Sequence, residues 1–235
     1  MIIDTLVVIP CFNEADSILN LIAEAKPFCH LVDFLIINDG STDGTREILK
    51  HSNTTYISLP VNLGIGGSVQ TGIIYALRNN YKFCVQLDGD GQHPPKYIES
   101  MINYMRENNC DILIGSRNFK GTSTGTSLMR SYAGKFLSYV LNINFKNLNC
   151  TDPTSGYRIM NRKAIEVFAD NYPRDYPEPI ALAIAHKNNL LIQEFQVQMR
   201  ERKTGRSSIS KIRSITYMFR VIAYILLWRF SVKRG

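Results

Sequence analysis

The stretch Phe83-Cys84-Val85-Gln86-Leu87-Asp88-Gly89-Asp90-Gly91-Gln92-His93-Pro94-Pro95 is an apolar run that stops at two carboxylates on a glycine-bearing turn. A run this short, bounded by Asp, Gly and Pro, reads as a buried strand. Similar runs lie at residues 5–9, 33–37, 55–58 and 111–115, and helical patterns at 15–25, 44–50, 65–79 and 96–107 separate them. Such alternation reads as βαβ units, and the expected fold class is α/β: a Rossmann-like, mostly parallel sheet with helices on both faces. Further helices are expected at 128–141, 161–169 and 179–187 and a strand at 191–198.

In an open α/β sheet the ligand lies beyond the carboxyl ends of the strands. The polar residues of this chain cluster there. After the first run come Pro10-Cys11-Phe12-Asn13-Glu14, after the second Asn38-Asp39-Gly40-Ser41-Thr42-Asp43-Gly44, and after the third Asn62-Leu63-Gly64-Ile65-Gly66-Gly67. Asp88 and Asp90 can both approach a divalent cation. Hard cations such as Mg²⁺ or Mn²⁺ take oxygen from one or two carboxylates and fill their shell with phosphate and water, which describes a nucleotide diphosphate site. Asp39 is read as an acceptor for a base or ribose, with an Asx-turn as the alternative. Asp43, followed by Gly44, reads as the cap of the next helix.

Four ordered blocks, Val8-Ile9-Pro10-Cys11-Phe12-Asn13-Glu14, Asn38 to Gly44, Asn62-Leu63-Gly64 and Asp88-Gly89-Asp90, resemble glycosyltransferase family 2, whose nucleotide-sugar-binding fold is called GT-A. Within it the sequence is similar to the polyprenyl-phosphate sugar synthases, relatives of dolichyl-phosphate mannose synthase. That similarity rests on Asp88 to Pro95, Gly115-Ser116-Arg117, Asp152-Pro153-Thr154-Ser155-Gly156-Tyr157-Arg158, and Met199-Arg200-Glu201-Arg202 leading to Gly205-Arg206-Ser207-Ser208. The resemblance implies inverting transfer of one sugar from a nucleotide diphosphate sugar to a lipid phosphate.

It further implies that Pro10, Phe12, Asn13, Glu14, Asp39, Gly64 and Asp88 hold the nucleotide, and that Asp88 and Asp90 hold the metal. Asp90, Gln92 and Glu178 are the catalytic candidates, with Gln92 and His93 bordering the sugar or acceptor. Arg117, Arg130, Ser131 and Arg202 are expected at the acceptor phosphate, because the planar guanidinium pairs bidentately with phosphate oxygens. Tyr176-Pro177-Glu178-Pro179 offers a single carboxylate where members acting on sugar hydroxyls carry an acidic pair. Glu178 is read as orienting the sugar or the metal shell, or as a helix cap. Its use as general base toward a polysaccharide hydroxyl is the alternative.

The formal net charge is +7, yet residues 1–201 hold 18 Lys and Arg against 20 Asp and Glu, while residues 202–235 hold 9 Lys and Arg and no acid. The positive excess therefore belongs to the tail, and no continuous groove for nucleic acid is expected. In that tail Ile212, Ile215, Phe219, Ile222 and Leu226 recur at helical spacing, flanked by Met218 and Ile225, with Arg213 and Arg220 on another face. The reading is a catalytic domain over residues 1–209 followed by a basic amphipathic helix over 210–235. That helix is expected on an anionic membrane surface, or packed on the domain or a small integral membrane partner. A non-catalytic membrane-binding module is the alternative of another class.

The apolar run Val221 to Trp228 is far short of the roughly 20 residues of a bilayer span. Five scattered cysteines without C-x-x-C spacing speak against zinc and against a disulfide framework. Met1-Ile2-Ile3-Asp4 carries no basic leader, so the expected location is cytoplasmic, peripheral on the inner face of the plasma membrane. The expected donor is UDP-glucose or UDP-N-acetylglucosamine, with UDP favoured over GDP.

Overall fold

The computed structural model describes residues 3–117, 128–145, 148–200 and 220–225. Seven strands, β1 (Thr5–Cys11), β2 (Asp33–Asn38), β3 (Tyr56–Ser58), β4 (Phe83–Gln86), β5 (Ile112–Ser116), β6 (Arg158–Asn161) and β7 (Ile192–Gln196), form one sheet in the order β3-β2-β1-β4-β6-β5-β7. All pairings are parallel except those of β6, which runs antiparallel to both β4 and β5.

The alternation of side chains along β1 divides the core in two. Leu6 and Val8 face one cluster with Leu35, Ile37, Cys84 and Met160, whereas Val7 and Ile9 face another with Ile36, Val85, Leu87 and Ile159. Helices α3 (Gly64–Arg78), α5 (Leu128–Asn144), α6 (Arg162–Asn171) and α7 (Pro177–Lys187) contribute to the first cluster. Helices α1 (Ile18–Ala25), α2 (Thr45–His51) and α4 (Ile98–Glu107) contribute to the second. In α4 the buried positions are Ile98, Met101, Ile102 and Met105, a single stripe at helical spacing. Helix α7 is apolar from Pro179 to Ala185 and is correspondingly sunk in the core; Glu178 is the polar residue of its first turn.

Two expectations from sequence need correction. The sequence pattern ends a motif at Arg158 and opens a helix at residue 161, but residues 158–161 form β6, the strand that interrupts the parallel order. Four residues opening on an arginine carry too little apolar pattern to announce a strand. In the tail, only residues 220–225 are described. There Val221 and Ile225 are buried in the first cluster, whereas Ile222, assigned to the apolar face, is half-buried and Arg220 and Tyr224 are exposed. The buried face is thus one residue out of register with the predicted one.

Beyond the carboxyl edge of β5 the chain is tied down by charge. Arg117 donates from Nε and Nη2 to the two carboxylate oxygens of Asp152, both at 2.8 Å, and Nη2 also reaches Thr154 Oγ1 at 3.1 Å. Glu194 on β7 accepts the backbone N–H groups of Thr151 and Asp152, each at 2.9 Å, and so holds the same loop from the other side. Burial by itself would push the Asp152 carboxyl up, but the hydrogen bonds and charge of Arg117 outweigh it and hold the group below the usual carboxylate range.

The ionised form is therefore the stabilising one. Its contribution is complete above the unfolded-state value of about 4 and is lost as pH falls through the lower folded-state value. Asp152→Asn leaves the Arg117 charge unpaired and is expected to cost about 3 kcal/mol at pH 7. Urea unfolding of wild type and variant from pH 7 down to pH 3 should show the two curves converging at the acid end. A gap independent of pH would contradict the ion pair.

Candidate active site

Because β3, β2, β1 and β4 are consecutive parallel neighbours, the loops at their carboxyl ends stand in one row. Backbone and side-chain hydrogen bonds join them. Asn13, in a left-handed conformation (φ 55°), donates its N–H to Ser41 Oγ at 3.0 Å and accepts the Thr42 N–H at 2.8 Å through Oδ1. Glu14 donates its N–H to Thr45 Oγ1 at 3.0 Å and accepts from Ser17 Oγ at 2.7 Å through its carboxylate. Asp39 is buried, and one of its oxygens accepts the Leu63 N–H at 2.7 Å, which anchors the start of α3 at Gly64. Asp43 accepts from Thr45 N and Ala15 N at 2.9 and 3.2 Å. Its role is to join two loops at the head of α2.

Pro10 is buried at the end of β1, where its carbonyl accepts the Gly89 N–H at 3.2 Å and brings the first and fourth loops together. Phe12 stands exposed at the rim of this row. Cys11 is sealed beneath it; burial, with help from Glu14 and Asp43, pushes its thiol up to about 12, so it remains protonated and is no nucleophile at neutral pH.

The two carboxylates of the quoted stretch lie just past β4. Asp90 Oδ1 accepts the Gln92 N–H at 3.0 Å, and Gly91 turns the chain with φ +76°, a conformation that L side chains rarely adopt. The Asp88 side chain is 34% exposed. It lies against Gly156, where an added Cβ would stand 3.1 and 3.2 Å from the carboxylate oxygens. Among the described residues no group of three or more His, Cys, Asp and Glu side chains could hold a metal ion. Two carboxylates on one turn nevertheless suit a hard cation that takes its remaining ligands from phosphate and water, so this donor set fits Mg²⁺ or Mn²⁺ brought in with a nucleoside diphosphate.

Glu178 belongs to the same neighbourhood. Burial pushes its carboxyl up to about 6; the positive charge of Arg158 opposes that shift and the negative charge of Asp88 adds to it. Arg158 is only 3% exposed and donates to the carbonyls of Ser155 and Pro153 at 2.8 and 3.0 Å. The sequence shows Arg158 as part of a motif but not as the cation that acts on Glu178. Its placement follows from β6, whose pairing sets Arg158 opposite Gln86 of β4. His93, expected at the border of the site, is instead buried beneath the Asp88 turn.

The acceptor candidates divide. The fork of Arg117 is directed at Asp152 and Thr154, and the residue acts first as a brace for the loop. Arg130 and Ser131 fall within α5, but their side chains lie outside what the structure describes, and Arg202 lies outside the described residues altogether.

Comparison with known proteins agrees with this layout. The profile of Glycosyl transferase family 2 matches residues 6–169. A polyprenol monophosphomannose synthase of Mycolicibacterium smegmatis is 25% identical, over 98% of this chain and 90% of that protein. A UDP-N-acetylglucosamine--dolichyl-phosphate N-acetylglucosaminyltransferase of Methanococcus voltae is 27% identical over 81% and 83% of the two chains. Among solved structures, glucosyl-3-phosphoglycerate synthase from Mycobacterium tuberculosis with Mn²⁺, UDP-glucose and phosphoglyceric acid superposes with a TM-score of 0.71 at 20% identity, covering 96% of this chain and 79% of that one. The fold, a mostly parallel seven-stranded sheet with helices, is thus GT-A-like. With the family profile spanning six of the seven strands, β1 to β6, and the turn that carries the two carboxylates, the chain belongs to glycosyl transferase family 2.

Proposed function

We propose that the chain transfers a single sugar, with inversion, from a nucleotide diphosphate sugar to a polyprenyl phosphate at a membrane surface. The observation that carries the acceptor is the similarity, over 98% of this chain, to a polyprenol monophosphomannose synthase. An undecaprenyl-phosphate mannosyltransferase of Micrococcus luteus, 28% identical over 65% of this chain, supports the same class. The donor in this reading is UDP-glucose or UDP-N-acetylglucosamine. The product is a lipid-linked sugar made on the cytoplasmic leaflet for modification of cell-surface glycans.

In this mechanism Pro10, Asn13, Glu14 and Asp39 form the nucleotide side of the site, with Phe12 and Gly64 at its rim. Asp88 and Asp90 would hold the cation, and the Gln92 N–H closes the turn on Asp90. A bound Mg²⁺ or Mn²⁺ supplies neutralisation of the leaving diphosphate. The lipid phosphate oxygen forms a bond to the anomeric carbon from the face opposite the bond to the diphosphate, which breaks, and the electron pair leaves with the nucleoside diphosphate. A phosphate monoester, with a second pKa of about 6, is largely dianionic at neutral pH and requires no base. Arg130, Ser131 and Arg202 are assigned to the acceptor phosphate, and Arg117 to the loop beside it.

Three observations support a membrane setting. The tail beyond residue 201 carries 9 cationic residues and no acid. Phe136, Tyr139 and Ile143 form an exposed stripe on α5 at helical spacing. Tyr224 and Arg220 point away from the core. Among the described residues no helix is long and apolar enough to cross a membrane. The chain is accordingly assigned to the inner face of the plasma membrane as a peripheral enzyme, with a small integral membrane protein as a candidate partner for residues 210–235.

A second reading, transfer to a sugar hydroxyl, is favoured by one feature: the Glu178 carboxyl, raised to about 6, is tuned for a general base. Two measurements separate the readings, and a third tests the membrane setting. With a short-chain polyprenyl phosphate and a panel of UDP and GDP sugars, wild type should form a lipid-phosphate sugar only with Mg²⁺ or Mn²⁺, and Asp90→Asn should lose about 100-fold or more. Glu178→Gln should retain transfer to lipid phosphate within about tenfold, whereas a loss of about 10²–10⁴-fold would make Glu178 the base and favour the hydroxyl acceptor. The full chain should float with phosphatidylglycerol vesicles at low salt and be released when salt screens the tail; flotation indifferent to lipid charge would contradict the electrostatic part.

A further inference from the structure

The Asp88 turn leaves one backbone group to be accounted for. The Leu87 N–H still donates across the sheet to Val8 O at 3.0 Å, and the Gly89 N–H donates to Pro10 O at 3.2 Å. Between them the Asp88 N–H has left the ladder, and its partner is the ring nitrogen Nδ1 of His93 at 3.1 Å. A nitrogen that accepts carries no proton, so the neutral ring bears its hydrogen on Nε2. That second nitrogen stands 3.6 Å from Oδ2 of the Asp88 carboxylate, an electrostatic contact rather than a full hydrogen bond.

The ring is held rigidly in this pose. His93 is 3% exposed and stacks on Tyr157, with centroids 5.1 Å apart and planes 18° from parallel. The Tyr157 hydroxyl donates to the carbonyl of Pro94, the residue that follows His93, at 3.2 Å. From the opposite face of the sheet Gln86 Nε2 approaches Asp88 Oδ1 at 3.4 Å, and Gln86 Oε1 accepts from the Tyr172 hydroxyl at 3.2 Å. Asp88 is therefore gripped from both layers of the core, and only the His93 side reaches both its main chain and its carboxylate.

We propose that His93 is a positioning residue for Asp88: Nδ1 closes the Asp88–His93 loop on the Asp88 amide, and Nε2–H faces the carboxylate and sets the direction in which it is offered to a divalent cation. The inference rests on the reading of Asp88 as a ligand of that cation. Buried partners that orient a ligating carboxylate typically contribute about 10–100-fold to metal affinity.

The test is Mn²⁺ affinity of the full chain in the presence of UDP, followed by electron paramagnetic resonance of free Mn²⁺, with thermal unfolding of each variant alongside. His93→Phe keeps a ring to stack on Tyr157 but leaves the Asp88 amide without its acceptor; it is expected to weaken Mn²⁺ by about 10–100-fold. His93→Asn sets an amide oxygen where Nδ1 stands but offers nothing to Oδ2, so its loss should be smaller. Asp88→Asn is the control and should bind weakest. If wild type binds Mn²⁺ and Asp88→Asn does not, wild-type affinity in either folded His93 variant overturns the proposal while the metal reading stands. If wild type with UDP binds no Mn²⁺, both fall.

Discussion

A guanidinium kept almost out of water at the start of β6 is the constraint around which the site is arranged. Burying an isolated charge is prohibitive, so Arg158 must be surrounded by oxygen. The carbonyls of Ser155 and Pro153 supply hydrogen bonds, and the carboxylate of Glu178, on which Asp88 acts in turn, lies within its electrostatic reach. The arrangement works in both directions: the carbonyls and the Glu178 carboxylate make the buried cation tolerable, and the cation opposes the repulsion that Glu178 meets from Asp88. Arg158 occupies that place because β6 is inserted antiparallel between β4 and β5, which carries its first residue to the same edge as the last residues of its neighbours.

The sheet then determines which layer serves which part of the site. Cys84 and Gln86 face the cluster that contains α3, α6 and α7, whereas Val85 and Leu87 face the cluster that contains α1, α2 and α4. Asp88 follows at the point where the strand ends, and both layers reach it, one through Gln86 and Tyr172 and the other through His93 and Tyr157. A loop residue supported in this way is held by packed and hydrogen-bonded groups rather than by its own turn. Close packing is what makes the support exact in position, because a displaced ring or amide has no vacant space to occupy.

Much of this was legible before any coordinates. The alternation of apolar runs with helical patterns predicted every strand but one; β1 stands out most, because a strand buried on both faces needs continuous apolar residues. The polar blocks after each run located the site, since strand ends are where a parallel sheet exposes its loops. Hidden from that reading were β6, the partner of Arg117, the burial of His93 and the register of residues 220–225. Each depends on what lies opposite in space. An arginine that grips a carboxylate and one that grips a phosphate have the same local sequence, and the bond of Arg117 to Asp152, 35 residues further along the chain, is visible only in the fold.

By itself, then, the sequence determined the layer architecture, the family resemblance, the carboxylate pair and the concentration of positive charge in the tail. These depend on local periodicity, short motifs and composition, which are properties of neighbours along the chain. Tertiary structure alone decided that β6 reverses direction, that Glu178 comes within the electrostatic reach of both Asp88 and the buried Arg158, and that His93 lies beneath the site rather than at its border. Those outcomes follow from long-range packing and from the need to satisfy buried charges and amides, and the partners that satisfy them are separated by tens of residues in the chain.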